Sequence, residues 1–263
     1  MNTSFQESLA KKTVRQLLRQ AADSLGRQNL TYLGMPEEDA LDVRALSPAV
    51  RNLVCIDTAK SKLDSARHAI ANLPIHIDRY HAKDMWLYLK DDYIHEGLIA
   101  DVTFLDFLGG GIVSNVPFQK EIAGLQAYFA CHAKSEFINR AFILAWTFMP
   151  HDAGEEHYLR HLSKCLFPAD IELLRKQKGI NFRALAIRLL LRHILAQHDM
   201  SALVYEHLLY KKVMNTLILV FCRGEDHDCA ISLLSPDKVI TSPITEYQSN
   251  RATPVTRNFN FAA

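Results

Sequence analysis

Residues 100–111 read Ala-Asp-Val-Thr-Phe-Leu-Asp-Phe-Leu-Gly-Gly-Gly, and few folds accommodate such a run. Val102, Thr103, Phe104 and Leu105 are β-formers with hardly a polar break, the pattern of a strand buried on both faces of a parallel sheet. The strand ends at Asp106, and Gly109, Gly110 and Gly111 follow shortly after. Glycine lets the backbone take positive φ and lets another group approach closely. An acid and a bare backbone loop at the carboxyl end of a buried strand are the materials of ligand sites in open α/β sheets. A strand with a plain turn after it is the other reading of the same run.

The surrounding order decides between them. Residues 4–28 carry a helical stripe of Leu9, Val14, Leu17, Leu18, Ala21 and Leu25, ended by Gly26. A strand over 30–34 turns at Met35-Pro36, and Pro36 with Glu37, Glu38 and Asp39 predicts a helix start. Strands are then predicted over 52–57 and 74–80, with helices over 59–72 and 86–92. After the 102–106 strand come a helix over 118–133 and an apolar strand over 139–148. Residues 155–198 are mainly helical, broken at Pro168 and Gly179, and longer than one crossover needs; they predict an insertion outside the sheet. Strands over 202–209 and 215–223, joined by a short polar link, predict an antiparallel hairpin. The tail after 223 has little periodicity and is expected to be partly irregular.

The expected architecture is therefore α/β, a doubly wound, seven-stranded Rossmann-like sheet closed by an antiparallel pair. Its parts are an N-terminal helical cap over 1–29, an α/β domain over 30–223 with the helical insertion, and an extension over 224–263. A formal net charge of +1 gives no basic footprint of an obligate nucleic-acid binder. Five scattered cysteines without a paired motif, and an N-terminal stretch without an apolar core, predict a cytoplasmic protein with reduced thiols. No apolar stretch is long enough to predict a membrane span.

Several polar residues carry two readings. Asp57 and Asp84 close strands where a ligand would lie, yet each also precedes a helix it could cap. A carboxylate at Asp57 could accept both hydrogens of a cis-diol. Asp106, between Leu105 and Phe107, must find a partner or face a cleft. His157 and His161 sit four apart, but without further ligands they predict no metal site, and Asp226-His227-Asp228-Cys229 reads as a polar turn. Arg175–Lys178 and Arg183, Arg188 and Arg192 predict solvated basic faces, with a phosphate-bearing substrate as the alternative. Neither a nucleophile elbow nor a phosphate-binding Gly-Lys-Ser/Thr loop occurs.

The element order over residues 30–223 resembles the class I S-adenosylmethionine-dependent methyltransferases, whose sheet ends in a hairpin with a reversed seventh strand. The resemblance implies S-adenosylmethionine as cofactor and a methyl acceptor of unspecified kind. It implies that Tyr32-Leu33-Gly34-Met35-Pro36 cradles the methionyl part, with one glycine where the family has several. It implies Asp57 at the ribose, Asp84 and Met85 at the adenine, and Asp106 with Phe107 near the transferred methyl group, Asp106 being the catalytic candidate. Gly109, Gly110 and Gly111 would then form the loop on the acceptor side. The loop departs from the Asn/Asp-Pro-Pro-aromatic motif of DNA amino-methylating enzymes, which argues against a DNA base as acceptor. The reduced glycine loop is also compatible with a non-catalytic, methyltransferase-like interaction module. A Rossmann oxidoreductase is a weaker fit, because no Gly-Xaa-Gly-Xaa-Xaa-Gly follows the first strand. A permuted arrangement, with 105–111 as the cofactor loop, lacks a catalytic loop elsewhere.

Overall fold

The structure is a computed structural model that describes residues 9–106, 119–134, 141–148, 155–198, 200–210, 214–223, 244–247 and 255–257. Alternation along the strands explains its layers. On strand β1 (Leu30–Gly34), Leu30 and Tyr32 face one side and Leu33 the other. The same alternation places Leu53 and Cys55 opposite Val54 and Ile56 on β2 (Val50–Asp57). On β4 (Val102–Asp106), Val102 and Phe104 lie opposite Leu105. Side chains of both faces are buried, as a parallel sheet covered by helices requires.

One face is covered by α1 (Leu9–Ser24), α2 (Leu41–Leu46) and α3 (Lys60–Ala69), which supply Val14, Leu18, Val43, Leu46 and Leu63. The other is covered by α4 (Met85–Asp91), α5 (Gln119–His132), α6 (Glu155–Leu162), α7 (Pro168–Arg175) and α8 (Gly179–Ala196). The remaining strands are β3 (His76–Ala82), β5 (Phe142–Phe148), β6 (Met200–Tyr210), β7 (Met214–Arg223), β8 (Ile244–Tyr247) and β9 (Val255–Arg257). Their order in the sheet is β3-β2-β1-β4-β5-β7-β6-β8-β9. Strands β1 to β5 pair in parallel, whereas β7 runs antiparallel to both β5 and β6. The doubly wound sheet with its terminal antiparallel pair is as expected. The two short tail strands, where irregular chain was predicted, extend the sheet beyond β6.

Three expectations are corrected. The segment 155–198 is not set outside the sheet, because Phe182, Leu185, Leu189 and Ile194 of α8 share one core with Trp146 and Leu219. Arg175, Lys176 and Lys178 are exposed, as a solvated basic face requires, but Arg188 and Arg192 do not form the second predicted face. Arg188 is fully buried with Nη2 2.6 Å from His207 Nδ1 on β6, Arg192 binds Asp170 at 2.5 Å, and Arg175 pairs with Glu172. Helix α2 begins at Leu41 rather than near Pro36. The chain first makes a turn in which the Ala40 N–H donates to the Glu37 carbonyl (2.8 Å), with Ala40 itself at φ 45°.

The junction of β1 and β4 is fastened at its amino end by Asp101, which is fully buried. The Thr31 N–H donates to Asp101 Oδ2 at 2.8 Å and the Asp101 N–H to the Thr31 carbonyl at 2.8 Å. Arg27 approaches the other carboxylate oxygen at 3.2 Å.

Candidate functional site

The chain lays β2 and β3 on one side of β1 and then returns to place β4 on the other. At such a reversal the loops after neighbouring strands part, leaving a crevice at their carboxyl ends. An open cleft of about 260 Å³ lies there. Its walls come from the carboxyl ends of four strands: Met35, Pro36 and Glu37 after β1, Asp57 at the end of β2 with Thr58, Lys83, Asp84 and Met85 after β3, and Asp106 at the end of β4. Lys62, in the first turn of α3, completes the rim. Four residues singled out from the sequence, Asp57, Asp84, Met85 and Asp106, are thus brought to one cleft.

Their chemical situations differ. Asp57 Oδ1 accepts the Ala59 N–H at 2.8 Å, a local turn that leads into α3. Its second oxygen has no hydrogen-bond partner among the described residues, so a bidentate acceptor is half in use and half available. Asp84 is engaged on both sides. Oδ1 accepts from the N–H groups of Trp86 (2.9 Å) and Leu87 (3.1 Å) as the N-cap of α4, and Oδ2 holds Lys120 Nζ at 2.6 Å. The cap and the ion pair with Lys120 together account for its whole carboxylate. Asp84→Ala is expected to lower stability by about 1 kcal/mol through loss of the cap, with Asp84→Asn recovering much of it in chemical denaturation. Equal losses for the two variants would show that the ion pair with Lys120, rather than the cap, matters.

Tyr32 does not line the cleft. Its side chain is fully buried below the cleft, and its hydroxyl donates to Asp42, itself buried on α2. Burial, then the neighbouring Asp42 charge, raises the Tyr32 phenol well above its ordinary range, and the same two causes push the Cys55 thiol up to about 12. Gly34 pairs with Cys55 on one side and Phe104 on the other, and the Tyr32 ring lies across it. Phe107, Gly109, Gly110 and Gly111 lie outside the described residues, as does Asp226–Cys229.

Asp106 stands across the sheet from Thr147 and borders a second, smaller pit beneath α1. Its Oδ1 is shielded from solvent and has no hydrogen-bond partner among the described residues. Burial pushes its carboxyl up to about 6. Lys11 and Arg15 pull against that rise, while Glu37 and Asp42 add to it. Sequence reading missed Lys11, Arg15 and Lys62 as site residues. Lys11 and Arg15 are spaced four apart beside the buried stripe of α1, and that spacing was the signal for a shared face.

The deciding observation is the pairing of β7, reversed between β5 and β6, with a cleft at the β1–β4 junction. The fold is that of the class I methyltransferases. No protein-family model matches the chain, and no curated protein matches it. Among solved structures, the chain is similar to a SAM-dependent methyltransferase from Agrobacterium tumefaciens at 10% identity, covering 83% of this chain and 64% of that one, with a TM-score of 0.49. It is also similar to an O-methyltransferase from Bacillus cereus in complex with SAH, at 15% identity over 84% of each chain and a TM-score of 0.46. A third, described as a possible exported protein from Bordetella parapertussis, matches at 15% identity over 82% of this chain and 68% of that one, TM-score 0.45. Strand order and pairing, rather than these distant likenesses, carry the assignment of the methyltransferase fold.

Proposed function

We propose that the chain is an S-adenosylmethionine-dependent methyltransferase whose cofactor lies across the carboxyl ends of β1, β2 and β4. The observation that carries this reading is the cleft at the strand reversal, where Asp57 and Asp106 sit on either side of the Gly34 turn. The residues present fit the group. The unused oxygen of Asp57 suits a ribose hydroxyl, and the largely buried Met85 offers an apolar wall to the base. Of the charged residues on the cleft wall, Glu37 is paired with Lys11, Lys83 with Asp92 and Asp84 with Lys120. That leaves Asp57 and Asp106 as acids with Lys62 at the rim, a lining whose two carboxylates suit a ligand with cationic centres and whose lysine suits its carboxylate. The bound cofactor would supply an activated methyl group on a sulfonium. The chain's own contribution is to orient it and to present Asp106, with Phe107 and Gly109–Gly111 beyond it, toward the acceptor. Asp84 then shapes the adenine end as a helix cap instead of reading the base directly.

A second reading, a methyltransferase-like interaction module without cofactor, is favoured by two findings. Gly34 is accounted for by Tyr32, and the carboxylate of Asp84 is fully used within the protein. Calorimetric titration with S-adenosylhomocysteine separates the two. Micromolar binding that Asp57→Ala weakens at least tenfold, about 1.4 kcal/mol, is the expected result. No heat from well-folded protein would favour the module instead. The proposed location is the cytoplasm, in keeping with free thiols at Cys55, Cys131 and Cys165. No helix among the described residues is long and apolar enough to cross a membrane.

A further inference from the structure

Asp106 borders two spaces. One is the cleft it shares with Asp57, and the other is a narrow pit of about 10 Å³ under α1. Lys11, Arg15 and Val14 form the roof of that pit, with Phe104 and Thr147 from the sheet beneath. Lys11 and Arg15 are one helical turn apart and so reach the same side of α1. The helix is a fixed frame for them, because Val14, Leu18, Ala21 and Ala22 are buried in the core. Opposite stands a carboxylate whose Oδ1 is shielded and without a hydrogen-bond donor among the described residues. In such surroundings a carboxyl group favours its neutral form unless cations lie close by.

We propose that Lys11 and Arg15 are positioning residues that hold Asp106 in its charged form at the boundary between the cleft and the pit. Among the described residues, the other titratable groups near Asp106 include the Tyr32 phenol, whose hydroxyl is held by Asp42. Glu37 from the β1 loop and Asp42 from α2 oppose the two cations. From the described side chains of β5 comes the hydroxyl of Thr147, bound to Thr216 at 2.9 Å. Across the cleft lie Asp57 and Lys62, with Asp84 and Lys83 held in ion pairs.

The purpose of the arrangement rests on the methyltransferase reading above. When an N–H or O–H acceptor forms its bond to the methyl carbon, the C–S bonding electrons return to sulfur and the acceptor's proton must leave. A charged Asp106 can take it, whereas a protonated one cannot. Helix α1 would thereby set the lower pH limit of transfer.

The test follows the Asp106 carboxyl carbon by NMR in the full chain without cofactor, titrated from about pH 4 to 8. In Lys11→Met/Arg15→Met the midpoint is expected to rise by about one pH unit. Lys11→Arg/Arg15→Lys should keep the wild-type midpoint, and Glu37→Gln should lower it. An unchanged midpoint in folded Lys11→Met/Arg15→Met would overturn the proposal. Should that double variant not fold, Lys11→Met alone must show a rise, since its side chain is 25% exposed and tolerant of change. The same wild-type sample, tested for S-adenosylhomocysteine binding, separates the two ideas. A shifted midpoint without binding would remove the cofactor reading and keep this one.

Discussion

Gly34→Ala is expected to destabilise the protein by about 3 kcal/mol, near the upper end of overpacking effects. A Cβ at Gly34 would lie 2.5 Å from Tyr32 Cζ and 2.6 Å from Cε1, distances no relaxed contact reaches. The ring cannot swing away, because it is fully buried and its hydroxyl is held by the buried Asp42. Moving it would also strip a hydrogen bond from a buried carboxylate, a loss of about 1.5–3 kcal/mol. Backbone freedom is not the reason for the glycine, since Gly34 is not among the positive-φ residues. The cause can be isolated by a double-mutant cycle with Tyr32→Leu. In that background Gly34→Ala should cost under about 1 kcal/mol, because the ring it meets is gone. Equal costs in both backgrounds, from urea denaturation, would sink the steric explanation.

Asp106→Asn should make the protein more stable at neutral pH, by about 2 kcal/mol. A carboxyl raised to about 6 by burial is a group the folded state would rather keep protonated. Below the unfolded value near 4 both states bind the proton, and Asp106 carries no penalty. As pH rises from there through about 6, the unfolded chain loses its proton more easily than the folded one, and stability falls. Above that range the penalty is constant. The wild type and Asp106→Asn should therefore converge at low pH and separate across this window. Parallel stability curves from about pH 4 to 8 would show that Asp106 is not under strain. A residue that weakens the fold while bordering the cleft is the usual mark of a site held for chemistry rather than for packing.

Much of this was legible in the sequence. The strands read correctly because both faces of the sheet are covered, so residues such as Val102–Leu105 and Phe142–Trp146 are apolar almost without break. The terminal hairpin was legible from its short link. The site was legible as positions, since acids at strand ends fall at the crevice whatever else they do. Their roles were not. Asp57 and Asp84 share a residue type and a location, and only the hydrogen bonds separate a half-free carboxylate from a fully used cap. Gly34 was read as a cofactor glycine, whereas its neighbour across the space is Tyr32 of the same strand, two residues earlier. Residues 155–198 were read as an insertion because they exceed one crossover in length, whereas the structure uses that length for three helices on one face of the sheet.

The buried Asp101 gives the molecule two unlike ends. At the amino end of the β1–β4 junction a carboxylate is bonded to the neighbouring backbone, and a change there strikes at folding itself. At the carboxyl end the same two strands border the cleft, where Met35, Pro36 and Asp106 line open space. Substitutions can therefore accumulate where ligands are met without touching the fastening that lets the chain fold. A lineage built on this scaffold is free to exchange one ligand for another while its β1–β4 junction stays the same.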